Sequence, residues 1–128
     1  MTDTRALAAE VLAHVALRGA SLREQLRPAQ AKLPDARDRA FLTALASEGA
    51  RWWLRFDKAL DLLLDKPLRQ RDPALHALLV LGLVQLEILQ LPPHAAVAAT
   101  VEATRALDRG GFAKLANAIL RRWLRERD

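Results

Sequence analysis

The sequence predicts an all-α protein, a bundle of about seven helices arranged as two sub-bundles. Apolar residues return every three or four positions along the chain, and no stretch shows the two-residue alternation of a half-buried strand. Proline or glycine interrupts this pattern at short intervals, which is typical of helices joined by short connections. The 128 residues, 52% hydrophobic and 27% charged, fit one globular domain.

The first two helices have well-marked ends in the sequence. The first is predicted to begin after Asp3 or Thr4 and to end at Gly19, because glycine readily adopts the left-handed backbone that closes a helix. The second is predicted to begin at Ser21, which precedes Glu24 by the spacing of a capping box. The residues expected to face the core are Leu7, Val11, Leu12, Val15, Leu22, Leu26, Ala29 and Leu33.

A third helix is predicted over Ala36–Trp53, and a short fourth helix ends before Pro67, since proline disfavours helical geometry in the preceding residue. Gly49, within the apolar face of the third helix, predicts the close approach of a neighbouring helix. Asp57 and Asp61 share the outward face of the fourth helix. We interpret them as solvated rather than catalytic, because the sequence places no cleft or histidine partner beside them.

The second half of the chain predicts three more helices. Asp72 as cap and Pro73 in the first turn begin the most apolar segment, Ala74–Leu91, which is hydrophobic nearly all round. This segment is predicted to be the central, buried helix. Two prolines end it, and a sixth helix is predicted over Ala95–Asp108, with termination at Gly110–Gly111.

The last predicted helix is the clearest amphipathic helix of the chain. Its apolar side contains Phe112, Leu115, Ala116, Ile119, Leu120, Trp123 and Leu124. Lys114, Arg121 and Arg125 align on the opposite side at roughly the helical period. A row of cations opposite an apolar face predicts an exposed basic stripe.

The charge balance favours a polyanionic partner. Lys and Arg number 20 against 15 Asp and Glu, for a net charge of +5 and a sequence pI of about 10.7. Without cysteine the chain has no disulfide, thiolate metal site or cysteine nucleophile, and its three histidines show no ligand spacing, so no metal is expected. The longest apolar run, Ala77–Val84, is too short to span a membrane and no signal sequence is evident, so we expect a cytoplasmic protein.

The remaining histidine and tryptophan residues are interpreted as structural. His76 is predicted to border the core, and His94 to cap or pack at the start of the sixth helix. Trp52, Trp53 and Trp123 occur within apolar stripes, which favours packing between helices over stacking on bases.

Five segments together resemble a known family. They are DARDRAFL (35–42), DKPL (65–68), ALHALLVLGLVQL (74–86), PPHAAVAATVEATR (92–105) and LANAILRR (115–122). They resemble the NusB-like domains, in the version found at the amino end of ribosomal RNA cytosine-C5 methyltransferases of the Sun/Fmu/RsmB type. The resemblance covers nearly all of the chain.

The resemblance implies that residues 1–128 form a NusB-like RNA-binding domain, not catalytic by itself. In the family, a separate later domain binds S-adenosylmethionine and attacks cytosine with a cysteine, so no cofactor is expected in this chain. The sequence stops at Arg127 and Asp128 within a charged helical pattern, and we therefore expect the amino-terminal piece of a longer methyltransferase. A stand-alone NusB-type antitermination factor, or an adaptor that docks a ribosomal protein or the catalytic domain, remains an alternative.

Phosphate contacts from arginine and lysine would position ribosomal RNA without reading its sequence. The candidate RNA-binding residues, on helices that a NusB-like fold is expected to bring together, are Arg5, Arg105, Arg109, Lys114, Arg121 and Arg125. The alternatives are that these cations are ordinary solvated surface, or that Arg121, Arg122 and Arg125 face the catalytic domain.

Overall fold

Seven α-helices form most of residues 2–127, the part of the chain that the computed structural model describes. Met1 and Asp128, the two ends of the predicted domain, lie outside the described residues. The helices are α1 Thr4–Arg18, α2 Leu22–Ala31, α3 Ala36–Arg51, α4 Trp53–Leu63, α5 Pro73–Glu87, α6 Pro93–Ala106 and α7 Ala113–Glu126, with a 3-10 turn at Gly110–Phe112 before α7. No strand occurs between residues 2 and 127, so the all-α prediction is confirmed.

Side-chain caps begin four of these helices. Asp3 accepts a hydrogen bond from a backbone N–H of α1 at 2.9 Å, and Ser21 does the same for α2 at 3.3 Å. Asp35 and Asp72 cap α3 and α5. Gly19 closes α1 at φ 70°, in the left-handed region, as predicted. Each cap satisfies a backbone donor that the helix leaves unpaired and stabilises the fold by about 1 kcal/mol.

Two helix ends among the first five helices differ from the prediction. The third helix ends two residues earlier than predicted, because the chain turns at Trp52 and α4 begins directly afterwards. The central helix ends at Glu87 rather than Leu91. Gln90 adopts φ 51°, and the N–H of Leu91 donates to the carbonyl of Gln85 at 3.0 Å. This left-handed turn satisfies the last carbonyls before the prolines, a backbone feature that apolar periodicity does not reveal.

Helix α5 is the centre of the bundle, as predicted. Every residue from Leu75 to Leu86 is buried, and the helix contacts α1, α3, α4, α6 and α7. Helices α1, α2 and α3 pack together on α5 as one sub-bundle, while α6 and α7 form the second. Within residues 2–127, no helix is both long enough and apolar enough to cross a bilayer.

Two glycines allow close helix contacts. A Cβ atom on Gly49 would lie 2.7 Å from Leu12 and 2.9 Å from Leu81, which confirms the predicted close approach to α3. A Cβ atom on Gly82 would lie 2.7 Å from Leu120, so α7 packs directly on the backbone of α5. Glycine inside a helix costs about 1 kcal/mol relative to alanine, and the tighter packing offsets that loss.

A buried polar cluster connects α4, α5 and the segment between them. His76 is fully buried, and its Nε2 lies 2.8 Å from Asp57 Oδ1. Arg69 donates to Asp57 at 3.0 Å and also to Asp61. The interpretation of Asp57 as a solvated carboxylate was therefore wrong, since its side chain is only 19% exposed and has a histidine partner from another helix.

The environment of His76 indicates a structural role. Burial lowers the pKa of His76, an effect that the hydrogen bond to Asp57 opposes and the charge of Arg69 reinforces. The neutral ring then donates its Nε2 hydrogen to Asp57, while Nδ1 has no hydrogen-bond partner among residues 2–127. Trp53 packs edge-on against the ring with centroids 5.5 Å apart. The cluster holds the 64–72 segment against the bundle.

The other aromatic predictions are largely confirmed. Trp53 is 8% exposed, and the half-buried Trp123 packs edge-on against Phe56 at 6.3 Å. Trp52 is also half-buried, as its place in an apolar stripe predicted. His94 lies in the first turn of α6, but Pro92 holds the cap position and the His94 side chain is exposed, so the packing role was wrong.

Candidate nucleic-acid interface

The end of α6 and the start of α7 place three predicted cations near one turn. Asp108, at φ 59°, provides the left-handed residue that ends α6, so the chain reverses before the glycines that were expected to terminate it. Arg105 and Arg109 flank this reversal, and Lys114 lies in the first turn of α7. All three side chains are exposed. The short connection through the 3-10 turn keeps these cations within one surface.

Helix α7 carries the basic stripe that its periodicity predicted. Lys114, Arg121 and Arg125 are exposed, whereas Ala116 and Leu120 are buried on the other side. At 3.6 residues per turn the three cations lie within about 40° of arc and extend about 16 Å along the helix. We call these three residues the α7 stripe.

The α7 stripe differs from its neighbours in its ionic partners. Arg105 pairs with Glu102 at 2.9 Å, and Arg109 pairs with the capping residue Asp72. No carboxylate of residues 2–127 lies within 4.0 Å of a cationic nitrogen of the α7 stripe; Arg121 instead donates to an amide oxygen at 3.1 Å. Among these residues the positive charge of the stripe is thus uncompensated by an ion pair, which is the condition under which it attracts an anion most strongly.

Arg5 differs from these cations in its surroundings. Its Nε donates to Gln85 Oε1 at 2.7 Å, and its guanidinium stacks on Phe41 with 4.8 Å to the ring centroid. Burial lowers the pKa of Arg5, an effect that Asp3 partly opposes. The side chain therefore joins α1 to α3 and α5, and its role in RNA binding stays a prediction.

A second surface feature, which the sequence analysis missed, is an open groove of about 460 Å³ between α4, the end of α5, the start of α6, and α7. Its polar and aromatic lining consists of Arg55, Glu87, Gln90, Trp123 and Arg127. Trp123 Nε1 donates to Glu87 Oε1 at 2.6 Å, and Arg127 donates to the same oxygen at 3.3 Å. We call this feature the α4–α7 groove.

Sequence periodicity could not identify the α4–α7 groove, because its residues come from different helices. Glu87 and Trp123 are 36 positions apart. The only local signal was the amphipathic pattern of α7, which placed Trp123 in the apolar face without showing that its indole N–H reaches a carboxylate.

The side chains of residues 2–127 form neither a nucleotide-cofactor loop nor a metal centre. Gly110 and Gly111 lie in a 3-10 turn between two helices, whereas such a loop joins a strand to a helix. No group of three or more histidine, aspartate or glutamate side chains in the described range could hold a metal ion.

Comparison with known proteins identifies relatives over almost the whole chain. The chain is 46% identical over 123 residues to ribosomal RNA small subunit methyltransferase B of Xanthomonas campestris pv. campestris, covering 96% of this chain and 28% of that protein. Identity to the protein of the same name from Xylella fastidiosa (strain 9a5c) is 42% over 121 residues, which cover 94% of this chain and 29% of that protein. Identity to the protein of that name from Escherichia coli O1:K1 is 35% over 126 residues, which cover 98% of this chain and 29% of that protein.

The chain thus spans between a quarter and a third of the length of these relatives. A family match extends over residues 2–125, in agreement with the helical arrangement described above. This chain belongs to the NusB family.

Proposed function

We propose that this chain is the RNA-positioning domain of an S-adenosylmethionine-dependent methyltransferase that modifies cytosine C5 in small-subunit ribosomal RNA. The names of the relatives support the substrate class. The absence of cysteine from all 128 residues is consistent with a cysteine nucleophile in a separate catalytic domain, as the resemblance implies. In this proposal the chain is not catalytic. It works in the cytoplasm, and its partners are the RNA and its own catalytic domain.

The observation that carries the proposal is the α7 stripe, three exposed cations without a carboxylate partner in the described part of the chain. Arg105 and Arg109 extend the same surface around the α6–α7 turn. Five cations can contact several phosphates at once, which sets the register of a folded RNA without reading its bases. The catalytic domain would then meet a substrate that is already oriented.

Salt dependence tests this proposal quantitatively. Contacts from five cations predict a slope of log K against log salt of about −3.5 on single-stranded RNA, a loss of about 100-fold between 50 and 200 mM salt. We expect the chain to bind a small-subunit ribosomal RNA fragment with a slope of this size. Replacing Lys114, Arg121 and Arg125 by alanine should reduce the slope by about 2.

A matched variant controls for net charge. Arg18, Arg23 and Arg27 on α1 and α2 are also exposed and lack a carboxylate partner among residues 2–127. Replacing these three by alanine removes the same charge, yet should leave most of the slope in place. Equal losses in the two triple variants would refute a localised interface, and absence of binding at 50 mM salt would refute RNA positioning by this chain.

A further inference from the structure

The α4–α7 groove has the composition of a site for an unpaired nucleotide. Two arginines, one glutamate, one glutamine side chain and a tryptophan ring line a volume of about 460 Å³. Small-molecule sites commonly range from about 300 to 1,000 Å³. We propose that this groove holds a single unpaired RNA nucleotide whose base carries an exocyclic amino group. The inference rests on the proposed RNA-binding function and specifies where one base is read.

Glu87 is the group that would recognise the base. Trp123 and Arg127 both donate to Oε1, which fixes the carboxylate, and no donor from residues 2–127 reaches Oε2. The Glu87 side chain is 22% exposed, so this oxygen is positioned but accessible to a ligand. An amino group, such as N4 of cytosine, can donate to Oε2, whereas the equivalent O4 of uracil would be repelled by it.

Trp123 provides an apolar ring surface beside that carboxylate. The ring is half-buried, is held at 79° to Phe56, and lines the groove with its remaining surface. Unpaired bases in RNA complexes stack on such rings while their edges form hydrogen bonds. The fixed orientation of the indole means that the stacking surface is present before RNA arrives.

The two arginines would bind the flanking phosphates. Arg55 is held over Phe56 at 5.1 Å and over Trp52 at 5.9 Å, and the Arg127 side chain is 35% exposed. Among residues 2–127, Glu87 is the one carboxylate that lines the groove, so the described lining has a positive net charge. Gln90 completes the wall from its left-handed position at φ 51°, a backbone conformation that is uncommon for a residue with a side chain.

The direct test compares fluorescently labelled hexanucleotides of cytidine and of uridine at 50 mM salt. We expect the unchanged chain to bind the cytidine strand about tenfold more tightly, the factor typical of one hydrogen bond to a charged group. Glu87→Gln retains an oxygen for the Trp123 N–H but turns a donor towards the base. It should therefore abolish or reverse the preference, and equal binding of both strands by the unchanged chain would overturn the proposal.

Two arginine variants provide a matched control. Arg55 and Arg51 lie at nearly the same distance from the Trp52 ring, 5.9 and 5.8 Å, but only Arg55 lines the groove. Arg55→Gln should weaken binding of the cytidine strand about fivefold, whereas Arg51→Gln should change it less than about twofold. Equal effects of the two variants would overturn the phosphate role. Thermal unfolding followed by circular dichroism checks that each variant folds.

An RNA duplex and a free nucleotide complete the experiment. Groove variants should leave salt-dependent binding of a duplex unchanged, because the α7 stripe lies outside the groove. If the chain binds the duplex but shows no preference between the cytidine and uridine strands, only the groove inference is overturned. If it binds neither the duplex nor the single strands, the proposed function is refuted as well. Cytidine 5′-monophosphate bound as tightly as the hexanucleotide would overturn the assignment to an RNA strand.

Discussion

Replacing Asp57 by alanine tests the buried polar cluster most directly. The carboxylate accepts from the fully buried His76 at 2.8 Å and from Arg69 at 3.0 Å. Without it, the Nε2–H group of His76 has no acceptor in the described structure. A buried donor left unpaired costs about 1 to 3 kcal/mol, and loss of the partly exposed ion pair adds up to about 1 kcal/mol. We therefore expect the free energy of unfolding to fall by about 1 to 4 kcal/mol.

Two further variants separate the hydrogen bond from the charge. Asp57→Asn keeps an oxygen that can accept from His76, so the loss should stay within about 1 kcal/mol. Asp61→Ala removes a carboxylate that is 47% exposed and pairs with Arg69 alone among residues 2–127, so its effect should also be below about 1 kcal/mol. We therefore expect Asp57→Ala to lose the most stability, because of the three variants it alone leaves the buried N–H of His76 without an acceptor.

The measurement is equilibrium unfolding in urea at pH 7.5, followed by far-ultraviolet circular dichroism. Equal m-values would show that the variants unfold from comparable native states. A loss in Asp57→Ala no greater than that in Asp61→Ala would refute the reasoning, because it would mean that the acceptor of His76 contributes nothing beyond an exposed ion pair.

Three other outcomes follow from the structure. Burial lowers the pKa of His76 below its ordinary value of about 6.5, so the unfolded chain binds more protons than the folded chain. The stability is therefore fully present above that pH and falls as the pH decreases below it. His76→Gln should reduce this loss, as measured by urea titrations at pH 7.5 and 5.5. Gly82→Ala should lower stability by about 1 kcal/mol in the same assay, because Leu120 must move away from the added Cβ atom. Gly111→Ala is the control: its Cβ atom would have no neighbour within 4 Å, so stability should change by less than about 0.5 kcal/mol. Arg109→Ala should lower stability by less than about 1 kcal/mol while reducing the salt slope of RNA binding by about 1, and an unchanged slope would remove Arg109 from the interface.

Local sequence patterns predicted the helices and most of their ends because the responsible interactions are local. A cap such as Asp3 or Ser21 bonds to a backbone group three residues away, and Gly19 closes its own helix. The misplaced ends of the central and sixth helices depended on left-handed turns at Gln90 and Asp108. Residues other than glycine adopt such turns only when the surrounding packing stabilises them, so composition does not indicate them.

The basic stripe could be predicted for the same local reason. Lys114, Arg121 and Arg125 share one face of a single helix whose other face is apolar, and helical periodicity alone determines that relation. Arg5 has the same charge, but its guanidinium meets Gln85 at a separation of 80 residues. No pattern around Arg5 distinguishes a solvated cation from one that joins three helices.

Sequence patterns were sufficient to predict the all-helical class, the buried central helix and the sign and position of the α7 charge, since each depends on periodicity, composition or neighbouring turns. The contacts of Asp57 with His76, and of Glu87 with Trp123 in the α4–α7 groove, became evident only in the tertiary structure. These pairs lie on different helices, and their distances depend on how helices cross and rotate against one another. That arrangement is set by the packing of the whole core, in which every buried side chain participates.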